Sequence, residues 1–334
     1  MTDKPKIIVL DDDPTGSQTV HSCLLLMQWD VETLRIGLRD ECSILFVLTN
    51  TRALTSEQAA KVTREVTHNL QEAIAAENIQ DFLIVSRSDS TLRGHYPVET
   101  DIIAEELGPF DAHFLVPAFF EGGRVTRDSV HYLMVDGTLT PVHETEFARD
   151  SVFGYHHSYL PDYVEEKTKG RIKAGEVERF LLADIRGGVS DRLMQLTNNQ
   201  CGVVDGETQA DLDSFAKDLR EAASKGKRFL FRSAASILTS LANLGPQAIA
   251  PEDMAKYVRD RKPGAIIVGS HVKKSTQQLE RLLSEPGIVG IEVKISHLLD
   301  DSPEQRAALL EDILAKVRST HAGGKTPVAY TSRE

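Results

Sequence analysis

Three aspartates follow the first apolar run of the sequence and make up its densest group of carboxylates. The segment Asp11–Gly16 reads DDDPTG and comes directly after the run Ile7–Leu10. Carboxylates this close together repel one another, so such a group recruits a cation or a hydroxyl donor, or shifts a pKa toward use as a general base. Asp-Pro-Thr-Gly is also good turn chemistry, but a turn does not require three carboxylates. We therefore predict a functional site at these aspartates.

An arginine follows the second apolar run. The segment Thr49–Arg52 reads TNTR and comes directly after Ile44–Leu48. The guanidinium of Arg52 offers a planar fork of donors that matches a carboxylate or a phosphate. A surface ion pair is the alternative for this arginine, but loops that follow buried strands often carry function. We therefore expect Arg52 to bind an anionic ligand.

A ten-residue polar segment follows the third apolar run. Ser86–His95 reads SRSDSTLRGH and comes directly after Phe82–Val85, so two arginines, one carboxylate and several hydroxyls lie beside a buried strand. This composition favours recognition of an anionic, hydroxyl-rich ligand over a solvated loop. The candidate ligand-binding residues of the segment are Arg87, Asp89, Ser90, Arg93 and Gly94.

A fourth run, His113–Val116, is followed by glycines and one more arginine. The segment Pro117–Arg124 reads PAFFEGGR, and its glycines allow close approach of the backbone to a ligand. The whole chain has a net charge of -12, yet Arg124 joins the three arginines already named at the ends of predicted strands. A small anion is the simplest ligand for such a group.

The four runs predict an α/β fold with a mainly parallel sheet. Each run is apolar on both faces, as buried parallel strands are, and amphipathic segments separate the runs. In such sheets ligands bind at the carboxyl ends of the strands, where all four motifs fall. The clearest helix begins after Leu54, with Thr55 as an N-cap candidate and Gln58 three residues further on. We expect helices on both faces of the sheet.

The length of 334 residues indicates two domains. The alternation of strands and helices weakens between about residues 128 and 175, which indicates an insertion. We predict a ligand-binding domain over residues 1–244 and a partial second α/β domain over residues 255–334. The elements expected after the Gly245-Pro246 linker are a helix from Pro251, a strand at Ala265–Val268, a helix through Leu283, a strand at Gly290–Ile295, a helix at Pro303–Ser319 and a strand at Val328–Tyr330.

The predicted second domain contains one candidate phosphate site. The segment Gly269–Gln278 reads GSHVKKSTQQ and lies between a predicted strand and a predicted helix. Backbone N–H groups and hydroxyls at such a helix start can hold a phosphate. Serine and threonine are also common helix caps, so capping alone is the alternative.

Composition limits the partner and the compartment. The chain has 38 Lys and Arg against 50 Asp and Glu and no basic stripe, which argues against nucleic acid or a membrane as partner. Its three cysteines are widely spaced, as expected of free thiols in a reducing compartment. No apolar run approaches the length of a signal core or a membrane span. We expect a cytoplasmic protein with a small-molecule ligand.

Four ordered motifs resemble those of the four-carbon acid sugar kinase family, which includes tetronate, threonate and 3-oxo-tetronate kinases. The motifs are DDPTG at Asp12–Gly16, NTR at Asn50–Arg52, DSTLRG at Asp89–Gly94, and the pattern GS-x-x-x-x-[ST]-x-x-Q at Gly269–Gln278. The resemblance implies an acid-sugar site in the first domain and an ATP site in the second. It further implies transfer of the γ-phosphoryl group of ATP to a sugar hydroxyl, with Mg²⁺ bridging the phosphates. A homodimer is compatible with this interpretation.

The resemblance also implies roles for particular residues. The residues implied for the acid-sugar site are Asp12, Asp13, Arg52, Asp89 and Arg93, and those implied for the nucleotide site are Ser270, Ser275 and Gln278. On this basis one of Asp12 and Asp13 orients or deprotonates the accepting hydroxyl. Arg52 and Arg93 are then expected to clamp the substrate carboxylate.

Two other interpretations stay open. The pattern Asp11-x-Asp13-x-Thr15 also fits the first motif of haloacid dehalogenase-like phosphohydrolases, with Asp11 as nucleophile, Asp13 as acid/base and Mg²⁺ as cofactor. No later lysine or acidic-pair motif supports that assignment. The acid sugar kinases continue into a glycine-rich segment that completes the nucleotide site, so we expect an incomplete second domain in this chain. A protein that binds acid sugars without catalysis is therefore the third interpretation.

Overall fold

The structure of the protein is a computed structural model that describes residues 5–245, 249–258, 260, 262–300 and 302–333. The chain divides into two compact units, residues 1–248 and residues 249–334. Each unit is described by itself below. In the described parts of the chain, no helix has both the length and the apolar character needed to cross a membrane.

The described residues of the first unit form eleven strands and eight α-helices. Its strands are β1 Lys6–Asp11, β2 Leu25–Leu26, β3 Ile44–Leu48, β4 Phe82–Arg87, β5 Ala112–Val116, β6 Arg124–Arg127, β7 Val130–Val135, β8 Thr138–Pro141, β9 Glu178–Phe180, β10 Gln200–Val204 and β11 Phe229–Ser233. Its helices are α1 Val31–Arg39, α2 Ser56–Ala76, α3 Val98–Leu107, α4 Leu160–Lys167, α5 Leu182–Gly187, α6 Ser190–Gln195, α7 Gln209–Ser224 and α8 Ser236–Ala242.

Eight of these strands form one sheet in the order β2-β3-β1-β4-β11-β5-β10-β9. Every pairing in this sheet is parallel. The predicted α/β fold with a mainly parallel sheet is therefore confirmed, and the four predicted apolar runs are the strands β1, β3, β4 and β5. Because parallel strands run in one direction, their carboxyl ends lie along one edge of the sheet.

The sheet is buried on both faces, as the continuous apolar runs predict. In β1, Ile7 and Val9 pack into one core while Ile8 and Leu10 pack into the other. The first core surrounds Phe114, whose ring centroid lies 5.4 to 5.7 Å from four other phenylalanine rings. Burying an aromatic or aliphatic side chain of this size contributes about 2 to 3 kcal/mol, so the two cores hold the strand ends firmly in place.

Helix α2 begins where the sequence predicts it. The side chain of Thr55 accepts a hydrogen bond from the backbone N–H of Gln58, whose own side chain accepts one from the backbone N–H of Thr55. This capping box satisfies two helix-end donors. One face of the helix, including Val66 and Leu70, packs on the sheet.

The predicted insertion, from about residue 128 to 175, contains β7, β8, several 3-10 turns and α4, and β7 pairs with the preceding β6 to complete a small antiparallel sheet. Two buried tyrosines connect this region to the polar segment after β4. The hydroxyl of Tyr155 donates to the carbonyl of Thr91 at 2.7 Å, and that of Tyr163 donates to the carbonyl of Leu92 at 2.8 Å. The insertion therefore supports the loop that carries the DSTLRG motif.

The second unit contains a three-stranded parallel sheet in the order β12-β14-β13. Its elements are β12 Ile266–Val268, α9 Lys273–Leu283, β13 Ile288–Val293, α10 Ile295–Asp300, α11 Pro303–Ala322 and β14 Thr326–Thr331. The helix predicted from Pro251 is a 3-10 helix over Pro251–Tyr257. One sequence prediction needs correction: the strand predicted over residues 290–295 is β13, which begins at Ile288 and ends at Val293, before α10 begins at Ile295.

Candidate active site

The motif segments of the first unit meet at the carboxyl ends of neighbouring strands. Asp11, the last residue of β1, is in register with Leu48 of β3 on one side and with Arg87 of β4 on the other. Arg87 is in turn in register with Ser233 of β11, which lies between β4 and β5. The sheet order thus brings together polar segments that are far apart in the sequence.

Asp12 lies at the centre of this group and is only 2% exposed. Arg52 donates to both of its oxygens, from Nη2 to Oδ1 at 2.5 Å and from Nε to Oδ2 at 3.2 Å. The hydroxyl of Ser88 also donates to Oδ2. Burial opposes the charge of Arg52, but the Asp12 carboxylate outweighs it and holds the pKa of the guanidinium above its usual range. The fork of Arg52 is therefore occupied by protein carboxylates.

Asp13 is the more accessible member of the predicted catalytic pair, with 27% of its side chain exposed. Its Oδ1 accepts a hydrogen bond of 2.8 Å from the backbone N–H of Thr15 and another from the Thr15 hydroxyl. Its Oδ2 lies 3.2 Å from Nη1 of Arg52. Burial opposes ionisation, but the Thr15 donors and the Arg52 charge together lower the pKa of Asp13. Asp13 is therefore an ionised acceptor at neutral pH.

A second ion pair joins Asp89 and Arg93. Nε of Arg93 donates to Oδ2 of Asp89 at 2.7 Å, and Nη1 of Arg93 lies 3.7 Å from Asp150 of the insertion. The guanidinium also lies over the Phe147 ring, 4.8 Å from its centroid. Burial of Asp89 is outweighed by the charges of Arg93 and Arg52, which lower its pKa to about 2. Arg93, like Arg52, is held by protein carboxylates.

Asp11 and Arg87 form a buried pair at the end of β1 and β4. Their exposures are 1% and 4%, and Nη1 of Arg87 lies 3.5 Å from Oδ1 of Asp11. Burial raises the pKa of Asp11 to about 7. The backbone of Gly16 lies directly over this carboxylate, since a Cβ on Gly16 would meet Oδ2 at 1.8 Å. This closed environment does not suit Asp11 as a nucleophile, so the phosphohydrolase interpretation is not favoured.

Arg124 differs from the other predicted arginines, because it forms no ion pair with any residue that the structure describes. Its Nη1 donates to the carbonyl of Gly122 at 2.5 Å, its Nε has no hydrogen-bond partner there, and its guanidinium lies 5.8 Å from the centroid of the Phe119 ring. Burial lowers the pKa of Arg124, and the nearby charges of Asp89 and Arg93 act on it as well. Among the four predicted arginines, Arg124 is thus the one that has no described carboxylate partner.

Two predicted binding residues contribute through their backbone. The carbonyl of Ser90 accepts a hydrogen bond of 2.8 Å from Nε2 of the buried His131 on β7, which fixes the loop after β4. Gly94 has φ +122, and a Cβ there would lie 2.4 Å from Oγ of Ser88 and 2.5 Å from Nη2 of Arg232. Only glycine fits this backbone conformation and this space.

Sequence reasoning missed several residues of the site. Ser88 donates to Asp12, Arg232 lies at the end of β11, and Glu99 accepts from the hydroxyl of Thr51 at 2.6 Å. Arg232 could have been found, since it is a charged residue at the carboxyl end of a buried apolar run, as Arg87 is. Glu99 lies in the first turn of α3, where an acidic residue is common. Its position in the sequence therefore does not indicate a role in the site.

In the second unit, Ser270 lies just before α9, Ser275 lies in its first turn and Gln278 lies further along it. The hydroxyls of Ser270 and Ser275 are 2.9 Å apart, and Gln278 is exposed. A Cβ at Gly269 would meet no atom within 4 Å, so the backbone here is open to a ligand. Hydroxyls and N–H groups at a helix start are suited to hold a phosphate.

The described parts of the chain contain no preformed metal-binding site. No group of three or more His, Cys, Asp or Glu side chains there is arranged to hold one. Asp12 and Asp13 are adjacent carboxylates, but both are paired with Arg52. Mg²⁺ commonly binds through substrate phosphates and one or two carboxylates, and such an ion would not require a group of three protein ligands.

Each of the two units matches a domain model of a known protein family. A model of a sugar-binding N-terminal domain matches residues 7–241, and a model of a nucleotide-binding C-terminal domain matches residues 265–334. A D-erythronate kinase of Heliobacterium modesticaldum is 24% identical over 322 residues, which cover 93% of this chain and 67% of that protein. A D-threonate kinase of Bordetella bronchiseptica is 31% identical over 167 residues, which cover 47% of this chain and 38% of that protein.

A solved structure shows the same fold. It is a Bordetella bronchiseptica domain of unknown function with bound citrate, crystallised as a domain-swapped dimer. The TM-score is 0.54 at 22% identity, and the match covers 99% of this chain and 75% of that one. The family models, which match most of the chain, agree with the four motifs found in the sequence. The chain belongs to the four-carbon acid sugar kinase family, with residues 7–241 in its sugar-binding domain and residues 265–334 in its nucleotide-binding domain.

Proposed function

We propose that this protein is an ATP-dependent kinase that phosphorylates a hydroxyl of a four-carbon acid sugar of the tetronate, threonate, erythronate or 3-oxo-tetronate class. The observation that carries the proposal is the network of Asp12, Asp13 and Arg52 beside Asp89 and Arg93 at one edge of the sugar-binding domain. Relatives that are D-erythronate and D-threonate kinases support the substrate class and a phosphotransferase activity.

Within this site, Asp13 is the best acceptor for the hydrogen of the reacting hydroxyl. Asp12 is buried, and both of its oxygens are already bound by Arg52 or Ser88. Asp13 is accessible, and its lowered pKa keeps it ionised. Phosphoryl transfer has a loose transition state, so a carboxylate that orients the hydroxyl suffices without early deprotonation.

The substrate carboxylate is best assigned to Arg124. Arg52 and Arg93, for which the sequence suggests this role, already bind Asp12 and Asp89. Arg124 lies close enough for the Asp89 and Arg93 charges to act on it, and no described carboxylate neutralises it. An unpaired, partly buried guanidinium gains most from a charged partner. Arg52 and Arg93 then position the protein carboxylates around the sugar.

The nucleotide would be held in the second unit by Ser270, Ser275 and Gln278, with Mg²⁺ on its phosphates. When bound, ATP supplies the phosphoryl group and the ion neutralises its developing charge. The open backbone at Gly269 and the two hydroxyls at the start of α9 support this assignment. The homodimer suggested by the sequence stays a prediction.

A coupled assay of ADP release tests the proposal. Purified protein with ATP and Mg²⁺ is tested against a panel of four-carbon acid sugars, with three-carbon and five-carbon acids as controls. Turnover with at least one four-carbon acid and little with the others is expected. Thermal shift with the acids and with ATP and Mg²⁺, measured separately, reports binding by each site. If an acid raises the melting temperature but none of the acids causes ADP release, the protein binds acid sugars without phosphorylating them, and the kinase proposal is rejected.

A further inference from the structure

Two buried polar atoms face each other without hydrogen-bond partners beside the candidate site. Nη1 of Arg232 and Oε2 of Glu99 are 3.8 Å apart, and neither has a partner in the described structure. The two residues are only 7% and 5% exposed. A separation of 3.8 Å is too long for a hydrogen bond between them.

The remaining bonds of these two side chains hold them in place. Nη2 of Arg232 donates to the carbonyl of Arg93 at 3.2 Å, and Oε1 of Glu99 accepts from the hydroxyl of Thr51 at 2.6 Å. Each residue is thus fixed by one segment of the candidate site and has one free atom. Leaving a buried charged group without a hydrogen bond is costly, so a third group that bonds to both atoms is expected beside them.

The pair lies next to the predicted catalytic carboxylates. Nη2 of Arg232 packs closely with Oγ of Ser88 and Oδ2 of Asp12, since a Cβ on Gly94 would lie within 3.0 Å of all three atoms. Arg232 also lines a cavity of about 20 Å³ together with Asp89 and Tyr163, which has room for one water-sized group. A ligand in the acid-sugar site could therefore place one substituent here.

The chemistry of the gap favours a hydroxyl over a carboxylate. A hydroxyl oxygen accepts from the guanidinium and its hydrogen is donated to the glutamate, so one group satisfies both free atoms. A carboxylate oxygen can only accept, and it would meet the charge of Glu99. Burial and the Asp12 charge raise the pKa of Glu99, and a hydroxyl can pair with either form of that side chain.

We propose that Arg232 and Glu99 form a subsite that binds one hydroxyl of the acid sugar other than the one phosphorylated, and that this subsite selects among the epimers of the substrate. The proposal rests on the acid sugar kinase function proposed above. The hydroxyl accepts from Nη1 of Arg232 and donates to Oε2 of Glu99. The epimer whose hydroxyl points away leaves both atoms unpaired, which is the strongest kind of discrimination that a polar pocket provides.

The test compares variants with substrates that differ by one hydroxyl. Wild type, Glu99→Gln, Arg232→Lys and Arg232→Gln are assayed with the preferred acid, its epimers, and analogues lacking the hydroxyl at the second or third carbon. Wild type is expected to prefer the full substrate to one of these analogues by about tenfold to a hundredfold in kcat/KM. That ratio should fall to about threefold or less in Arg232→Gln, with Arg232→Lys intermediate.

Arg228→Gln is the matched control. Arg228 directly precedes β11 at the opposite edge of the sheet, where it lies over the Phe82 and Phe110 rings. Its substitution should leave the preference ratio unchanged even where stability falls. Glu99→Gln keeps the side-chain shape and an acceptor for Thr51, so it covers the case in which the Arg232 variants fold poorly.

Calorimetric binding of the acids without ATP separates this proposal from the kinase function. If wild type binds the acids and discriminates among the analogues but releases no ADP, the kinase proposal fails while the subsite stands. If Glu99→Gln and Arg232→Gln are folded and keep the wild-type preferences, only water fills the gap and the subsite is wrong. A wild type that binds none of the acids rejects both.

Discussion

Arg52 binds Asp12 through two nitrogens of one guanidinium, with Nη2 at 2.5 Å from Oδ1 and Nε at 3.2 Å from Oδ2. Its third nitrogen, Nη1, lies 3.2 Å from Asp13. One side chain from the loop after β3 therefore fixes both carboxylates of the loop after β1. This connection makes Arg52 a positioning residue for the pair and leads to the first prediction.

Replacing Arg52 by glutamine should destabilise the protein. The change leaves the buried Asp12 carboxylate without its main partner, which costs about 3 to 5 kcal/mol for a buried pair. Arg52→Lys should be intermediate, because it keeps the charge but loses the fork. Urea unfolding measures the effect. Arg64→Gln is the control, since that arginine pairs on the exposed face of α2 and should change stability by less than about 1 kcal/mol. Equal effects of the two substitutions would contradict this role of Arg52.

Asp13→Asn should remove activity with little loss of stability. The amide keeps the shape of the side chain but loses the charge that orients the reacting hydroxyl, so kcat should fall by about a hundredfold or more. Asp12→Asn should lower both kcat and the melting temperature, because Asp12 is buried against Arg52. Steady-state kinetics and thermal unfolding of both variants distinguish the two roles. Full activity of Asp13→Asn would move the hydroxyl-orienting role to another residue.

Arg124→Gln should weaken substrate binding without unfolding the protein. With the substrate carboxylate unpaired, KM for the acid sugar should rise by about tenfold or more, because a charge-assisted hydrogen bond is lost. The melting temperature should change little, since Arg124 forms no described ion pair. Arg127→Gln on the same strand is the control, because that arginine pairs with the surface Glu207. An unchanged KM would show that a different cation binds the carboxylate.

Ionisation of Asp11 should lower the free energy of unfolding as the pH rises. Burial raises its pKa from the ordinary 3.8 to about 7 in the folded protein, so the folded state holds this proton more tightly than the unfolded state does. Between about pH 4 and pH 7 the unfolded chain ionises first, and the free energy of unfolding decreases by about 2 to 4 kcal/mol through this group.

The variant Asp11→Asn tests this pH dependence. It cannot ionise, so the difference in stability between wild type and variant should change across pH 4 to 7 and level off above it. Denaturant unfolding at several pH values measures that difference. A difference that is independent of pH would contradict the raised pKa. Retained kinase activity in Asp11→Asn would further exclude Asp11 as a nucleophile.

Gly94→Ala should disrupt the site, while the same change at Gly137 should not. Both glycines have positive φ, +122 and +83, so alanine strains the backbone at either position by about 1 to 2 kcal/mol. Only at Gly94 would the new Cβ also meet Ser88 and Arg232, whereas at Gly137 nothing lies within 4 Å. Comparing the activity and melting temperature of the two variants distinguishes the effect of steric crowding by the new Cβ from that of backbone strain. Equal losses would show that crowding at Gly94 is unimportant.

The strands that carry the site were predictable because their sequence pattern is local. The runs at Ile7–Leu10 and Ile44–Leu48 are apolar on both faces, and each is followed at once by charged residues. The capping box of Thr55 and Gln58 is equally local and marks the start of α2. These patterns, with the DSTLRG motif, were sufficient to indicate an anion-binding edge and the family.

The pairing of charges at that edge was not predictable from the sequence. The sequence suggests that all four predicted arginines can bind a substrate, but Arg52, Arg87 and Arg93 pair with protein carboxylates. Of these four, Arg124 alone forms no ion pair with a described residue. Likewise, nothing in the sequence relates Glu99 to Arg232. Side-chain partners depend on distances across the sheet, and these are set only once the strands are packed.

The sequence by itself determined the fold class, the strand ends and the family, because hydrophobic periodicity and short motifs reside in neighbouring residues. The tertiary structure decided which motif residues touch. The order of the sheet places β11 between β4 and β5, and this brings Arg232 beside Ser88 and Asp12 although they are distant in the chain. That order depends on long-range contacts between strands and helices, which no local sequence pattern encodes.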